Sequence, residues 1–238
     1  MIELWLVNLD NLSSQIDLYS SVLSDEELMR STNFYKKNDQ SNYILRRGVL
    51  RHILSHYIQS HPHEVVFNAD AYGRPHLVNT PYIDFNVSHS KSMLLLGVVK
   101  DSRIGIDIEY KESSCVSYDV FKQFSTIVEQ SEFLSLTSQA RIDTFFRTWV
   151  VKEAVVKAIG MGLFLNPKCI QLKTNFPNKP QAIIEFNPSH FLPRNLNISY
   201  ATAGNGYAYS IVSFKNDKYL WRKYELLVQR DPIICVWR

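Results

Sequence analysis

Two stretches of helical period stand in opposite halves of the chain, and each is accompanied by strand-like runs. From Ser41 to Gln59 the apolar residues Leu45, Val49, Ile53 and Tyr57 recur four apart, which places them on one face of a helix. The second stretch, Arg141 to Ile159, is apolar for most of its length and stops at Gly160-Met161-Gly162. Shorter helices are expected at Val116–Phe124 and Val128–Ser135. Strands are expected at Ile2–Val7, Val65–Phe67, Tyr82–Val87 and Met93–Val99, then at Arg103–Glu109, Ile170–Lys173, Ala182–Phe186, Ile198–Ala201, Ala208–Phe214 and Tyr219–Leu227. Helix with strands, occurring twice, predicts an α+β chain of two similar lobes, residues 1–102 and 103–238, joined near 100–104 without a flexible linker. A hydrophobic share of 45% over 238 residues supplies the core that two lobes require.

Charge and cysteine content narrow the function. The 26 basic and 23 acidic residues leave a formal net charge of +3, too mild for bulk nucleic-acid binding. Cys115, Cys169 and Cys235 are widely spaced, with no metal-ligand or redox-motif spacing, and are expected to be reduced thiols. Residues Met1 to Asp10 carry no basic segment followed by an apolar one, and no run of about 18 apolar residues occurs. A soluble cytoplasmic protein is therefore expected.

The segment Gly105-Ile106-Asp107-Ile108-Glu109 carries the sharpest chemical signal. On a strand, Asp107 and Glu109 project to one face while Ile106 and Ile108 turn to the core. Two adjacent carboxylates repel unless a proton or cation joins them; a solvated acidic edge strand is the bland alternative. In the second helix Glu153 and Lys157 lie four apart, which by itself reads as an ordinary helix ion pair of about 0.2–0.5 kcal/mol. If that helix packs against the acidic strand, Glu153 becomes a third carboxylate. An all-oxygen set of this kind suits magnesium better than calcium or zinc.

Cations gather elsewhere. Lys36, Lys37, Arg46, Arg47 and Arg51 cluster around the first helix, either as a solvated basic face or as a phosphate site, because guanidinium forks bind phosphate oxygens in pairs. Gly73-Arg74-Pro75 adds a turn with one cation. Asn86-Val87-Ser88-His89-Ser90 ends an apolar strand with small hydrogen-bonding side chains around a histidine.

These segments, with Phe124-Ser125, Glu129 and Trp149-Val150-Val151-Lys152-Glu153-Ala154-Val155-Val156-Lys157, occur in one order and together resemble the Sfp-type phosphopantetheinyl transferases. The resemblance covers residues 30 to 165 well; Tyr207-Ala208 echoes it faintly. It implies a pseudo-twofold pair of α+β lobes with coenzyme A and magnesium between them. It places Asp107, Glu109 and Glu153 as metal ligands, Lys157 against the pyrophosphate and His89 against a phosphate. Arg47, Arg51 and Arg74, with Lys37 and Ser88, become candidates for the rest of the coenzyme A. The expected reaction transfers the 4'-phosphopantetheine arm to a serine of an acyl, peptidyl or aryl carrier protein, with Glu153, Glu129 or a water on the metal as base. A monomer is expected. Arg74 stands where many relatives have lysine, and Val150 where a small or hydroxylated residue is common. A magnesium-dependent nucleotide hydrolase and a non-catalytic coenzyme A binder are the competing readings.

Overall fold

A computed structural model of the chain describes residues 1–173, 181–184, 196–203, 206–214 and 223–225. Cys235, and residues 185–186, 219–222 and 226–227 of the expected strands, lie outside the described residues.

The first half runs β1 (Ile2–Asn8), α1 (Ile16–Ser20), α2 (Asp25–Thr32), α3 (Lys37–Ile58), β2 (Phe67–Ala69), β3 (Pro75–Leu77), β4 (Ile83–Ser90) and β5 (Met93–Lys100). The second runs β6 (Ile104–Tyr110), α4 (Tyr118–Phe124), α5 (Ile127–Leu134), α6 (Ser138–Ile159), β7 (Ile170–Lys173), β8 (Gln181–Ile184), β9 (Asn197–Ala203), β10 (Tyr207–Ser213) and β11 (Lys223–Glu225). Both long helices exceed the expected bounds at their N-termini by about a turn. Helices α1 and α2 and strand β3 were not anticipated, and the Val65–Phe67 strand is displaced to Phe67–Ala69.

Two sheets face one another. One has the order β11-β1-β5-β4 and the other β6-β10-β9, so the first sheet takes a strand from the far end of the chain. Side-chain alternation along each strand sorts residues between layers. Trp5, Val7, Leu94, Leu96 and Val98 turn outward to α3. Ile2, Leu4, Leu6, Leu95 and Val99 turn inward and meet Ile104, Ile106, Ile108 and Ile211 of the second sheet. Beyond that sheet, Ala208 and Val212 pack on α6 through Val150, Val151, Ala154 and Val155. The layers are thus helix, sheet, sheet, helix.

The two halves of the chain repeat a finer device. In the first, Ser24 and Glu27 form a capping box on α2, and Glu27 reaches Arg51 of α3. In the second, Thr126 and Glu129 form a capping box on α5, and Glu129 reaches Lys152 of α6. Arg51 and Lys152 stand at the same position, the fifteenth, of their 22-residue helices.

Gly105 sets the distance between β6 and α6. A Cβ there would overlap the Ala154 carbonyl and the Ala158 backbone, so only glycine lets strand and helix lie backbone to backbone.

Candidate active site

With Ile104, Ile106 and Ile108 committed to the inter-sheet core, the alternate residues Gly105, Asp107 and Glu109 face α6. Asp107 is 3% exposed. Its Oδ1 accepts from Lys157 Nζ at 2.6 Å and from Ser88 Oγ at 2.7 Å, while its buried Oδ2 has no partner. Burial pushes its carboxyl above the ordinary range despite Lys157 and Ser88. Glu109 is also raised, by burial and then by the Asp107 charge, although Ser90 and the Trp149 indole both hydrogen-bond to it. Glu153 is raised by burial, Asp107 and Glu109, against Lys157. Three carboxylates on two elements therefore repel one another around one ammonium.

The chemistry of that donor set fits a hard divalent cation: all ligands are carboxylate oxygens, and one is buried with nothing to satisfy it. Among the described residues, no three Asp, Glu, His or Cys side chains already stand at metal-binding spacing.

Strand β4 has two working sides. Its even-numbered side chains turn to β6: the Asp84 carboxylate accepts from Ile104 N at 2.8 Å and Asn86 Oδ1 from Ile106 N at 2.9 Å, while Ser88 and Ser90 donate to Asp107 and Glu109 at 2.7 Å each. Its odd-numbered Val87 and His89 line a cavity of about 770 Å³ under α3, together with Arg30, Tyr43, Arg46, Arg47 and Phe67. Loss of water around His89, with the charges of Arg46 and Lys157, pushes its imidazole down to about 4, so it is neutral at pH 7. Arg30 lies 5.9 Å from the Tyr43 ring centroid and Arg47 4.6 Å from that of Phe67. Arg30 was not singled out in the sequence; its signal was the capping box three residues earlier, which fixes the helix face it shares with Glu27.

Of four further expected site residues, one borders the cavity without facing it freely and three fall elsewhere. Arg51 is 3% exposed: its Nε bonds Glu27 at 2.6 Å and its Nη1 donates to the carbonyls of Pro62, His63 and Val65. It is a structural tie, and it borders the cavity without offering a free fork. Arg74 is turned to the lobe junction, donating to Asp84, the Phe85 and Ile104 carbonyls and the Lys157 carbonyl at the end of α6. Those bonds occupy both of its Nη atoms, while its Nε is buried without a partner. Glu129 is enclosed, accepting from Lys152 at 2.6 Å, Thr126 N at 2.8 Å and Leu172 N at 2.9 Å. A general base must reach the incoming hydroxyl, and Glu129 is walled in. Lys37 is exposed on the first turn of α3 and does not line the cavity. Arg47 stays at the cavity, paired with Glu27, whose carboxyl the two arginines hold below its ordinary value although burial works to raise it.

The sequence is similar to those of known proteins. Residues 103–212 match the 4'-phosphopantetheinyl transferase superfamily, and residues 10–99 match the N-terminal region of 4'-phosphopantetheinyl transferases. The chain is 32% identical over 166 residues to the 4'-phosphopantetheinyl transferase HetI of Nostoc, covering 68% of this chain and 70% of that one. It belongs to the 4'-phosphopantetheinyl transferase family. The Sfp transferase of Bacillus subtilis is 29% identical over 173 residues, 72% of this chain and 75% of its own. The L-aminoadipate-semialdehyde dehydrogenase-phosphopantetheinyl transferase of Xenopus laevis is 26% identical over 170 residues, 66% of this chain and 56% of its own. As a phosphopantetheinyl transferase of the Sfp type, the chain is an enzyme.

Proposed function

We propose that this transferase moves the 4'-phosphopantetheine arm of coenzyme A onto a serine of an acyl, peptidyl or aryl carrier protein, and that it needs magnesium. The observation that carries the reading is the unpartnered, buried Asp107 Oδ2 beside the Lys157 ammonium. Asp107, Glu109 and Glu153 are the residues that would hold the cation. Bound there, it supplies positive charge to a pyrophosphate that grows more anionic as its bridge breaks.

The chain's own groups do the rest. Arg46, Arg47 and Arg30 provide cations, and neutral His89 a ring N–H, for the phosphates of the nucleotide end. Lys157 is fixed by Asp107 and by Ser88, at 3.1 Å, so its charge needs no reorganisation when the bridge breaks. The carrier serine Oγ forms the new bond to the phosphorus attached to pantetheine. The bridging P–O bond breaks, and adenosine 3',5'-bisphosphate leaves with the electron pair. Glu153, held above the ordinary carboxylate range, is the acceptor we assign to the serine proton. The same reading has the enzyme act as a cytoplasmic monomer without nucleic acid. Among the described residues no helix is long and apolar enough to cross a membrane.

A mass spectrum of an apo carrier protein incubated with the enzyme, coenzyme A and magnesium tests the reading. A gain of one phosphopantetheine arm, abolished by a chelator, is the expected result. Release of the arm to water instead would identify a hydrolase. No gain with several carrier classes would overturn the assigned acceptor.

A further inference from the structure

Strands β4 and β6 are the edges of two different sheets, yet they meet. Unpaired edge strands present free N–H groups that must be satisfied. Here side chains do it: Asp84, Asn86 and Ser90 of β4 accept from the N–H groups of Ile104, Ile106 and Tyr110. The last rung differs from the others, because Ser90 also donates. Its Oγ accepts from Tyr110 N at 3.1 Å, and its proton is thereby directed to Glu109 Oε2 at 2.7 Å.

We infer that Ser90 is a positioning residue for Glu109, fixing one oxygen of that carboxylate from across the lobe boundary so that it is presented to the divalent cation. This rests on the reading that Asp107, Glu109 and Glu153 hold that cation. Two observations support this. Its neighbour Lys91 lies 3.5 Å from the Tyr110 ring centroid and bonds Glu112 at 3.1 Å, so the turn carrying Ser90 is braced against the end of β6. Ser88 plays the matching part on Asp107, taking Oδ1 and leaving Oδ2 without a partner. A carboxylate anchored at one oxygen loses the rotamer freedom that binding a metal would otherwise have to freeze.

The test is calorimetric titration of magnesium into the wild-type protein, Ser90→Ala and Ser90→Thr, with melting temperatures taken without metal. Ser90→Ala is expected to bind magnesium about 10–100-fold more weakly, the usual cost of losing an outer hydrogen bond to a metal ligand. Its apparent requirement for magnesium should rise alike, at an unchanged KM for coenzyme A. Ser90→Thr, which keeps the hydroxyl, should restore both. A purely structural serine would lower the melting temperature and leave magnesium affinity alone; that result, or equal affinity in all three proteins, overturns the inference. A wild-type chain that binds no magnesium overturns the metal reading and this inference together. If Ser90→Ala does not fold, Ser90→Cys, nearly isosteric and a weaker donor, carries the same comparison.

Discussion

At Glu153 the protein holds a carboxylate that is costly to keep ionised, since burial, Asp107 and Glu109 all raise it. A carboxyl whose folded value lies above its unfolded one makes the folded state bind more protons. The contribution of Glu153 to the stability of the metal-free protein should therefore become more favourable as pH falls from neutral into the ordinary carboxylate range. Glu153→Gln should melt about 2–4 °C above wild type without metal at pH 7, the equivalent of about 1 kcal/mol in a chain this long. The difference should shrink in mild acid. Its transfer rate should fall by at least about 100-fold, the lower bound for losing an acid–base group. His89 runs the opposite way. With a folded value of about 4, below the usual histidine range, it contributes stability above that range that is lost as pH falls from about 6.5 towards 4. Denaturant titrations of His89→Gln should show a flatter decline across that interval. In NMR the His89 titration should move upward when adenosine 3',5'-bisphosphate is added, because an anion favours imidazolium.

Helix α3 separates two kinds of arginine. Arg51, although it borders the cavity, is buried and tied to Glu27 and three carbonyls, whereas Arg46 lines the cavity and donates to the Asn42 carbonyl of its own helix at 3.1 Å. Arg51→Ala should cost about 3–5 kcal/mol, the penalty for leaving Glu27 buried with a partner removed. Arg46→Ala should leave the melting temperature nearly unchanged and raise the KM for coenzyme A. Unfolding curves and steady-state kinetics on both variants check this division. The sequence showed these arginines as a cluster but could not show which were interior, because the carbonyls and carboxylate that bind Arg51 lie 11 to 24 residues away. The inward ties of Arg74 were hidden for the same reason: its partner carbonyl on Lys157 is 83 residues distant. The acidic pair was legible because its meaning is local. Gly105, Asp107 and Glu109 alternate with isoleucines, and strand period alone decides which way each points. Helices α1 and α2 escaped notice because at 5 and 8 residues they are too short to establish a period.

Across the molecule, the two capping-box glutamates and their helix cations state the lobes' likeness more clearly than any strand pattern. Both are devices for fixing a short helix to a long one. Glu129→Gln should accordingly cost several kcal/mol, roughly 3–5, while each folded molecule keeps most of its rate. The inter-sheet isoleucine core is shared by both halves of the chain, so we propose that they unfold as one unit, and secondary and tertiary probes should report coincident transitions in denaturant. That is the expected behaviour of a chain divided at residues 102 and 103 as we propose, whose sheets nevertheless share a core. Strand β4 ties them closer still, with one side on the cavity and the other on the acidic strand. A single inserted or deleted residue within it would exchange those sides. Recombination between relatives therefore has a forbidden crossover: a chimaera whose breakpoint falls between residues 90 and 104 splices two halves that were never fitted to each other. It should fold poorly or work poorly unless both parents carry the same polar residues at 84, 86, 88 and 90.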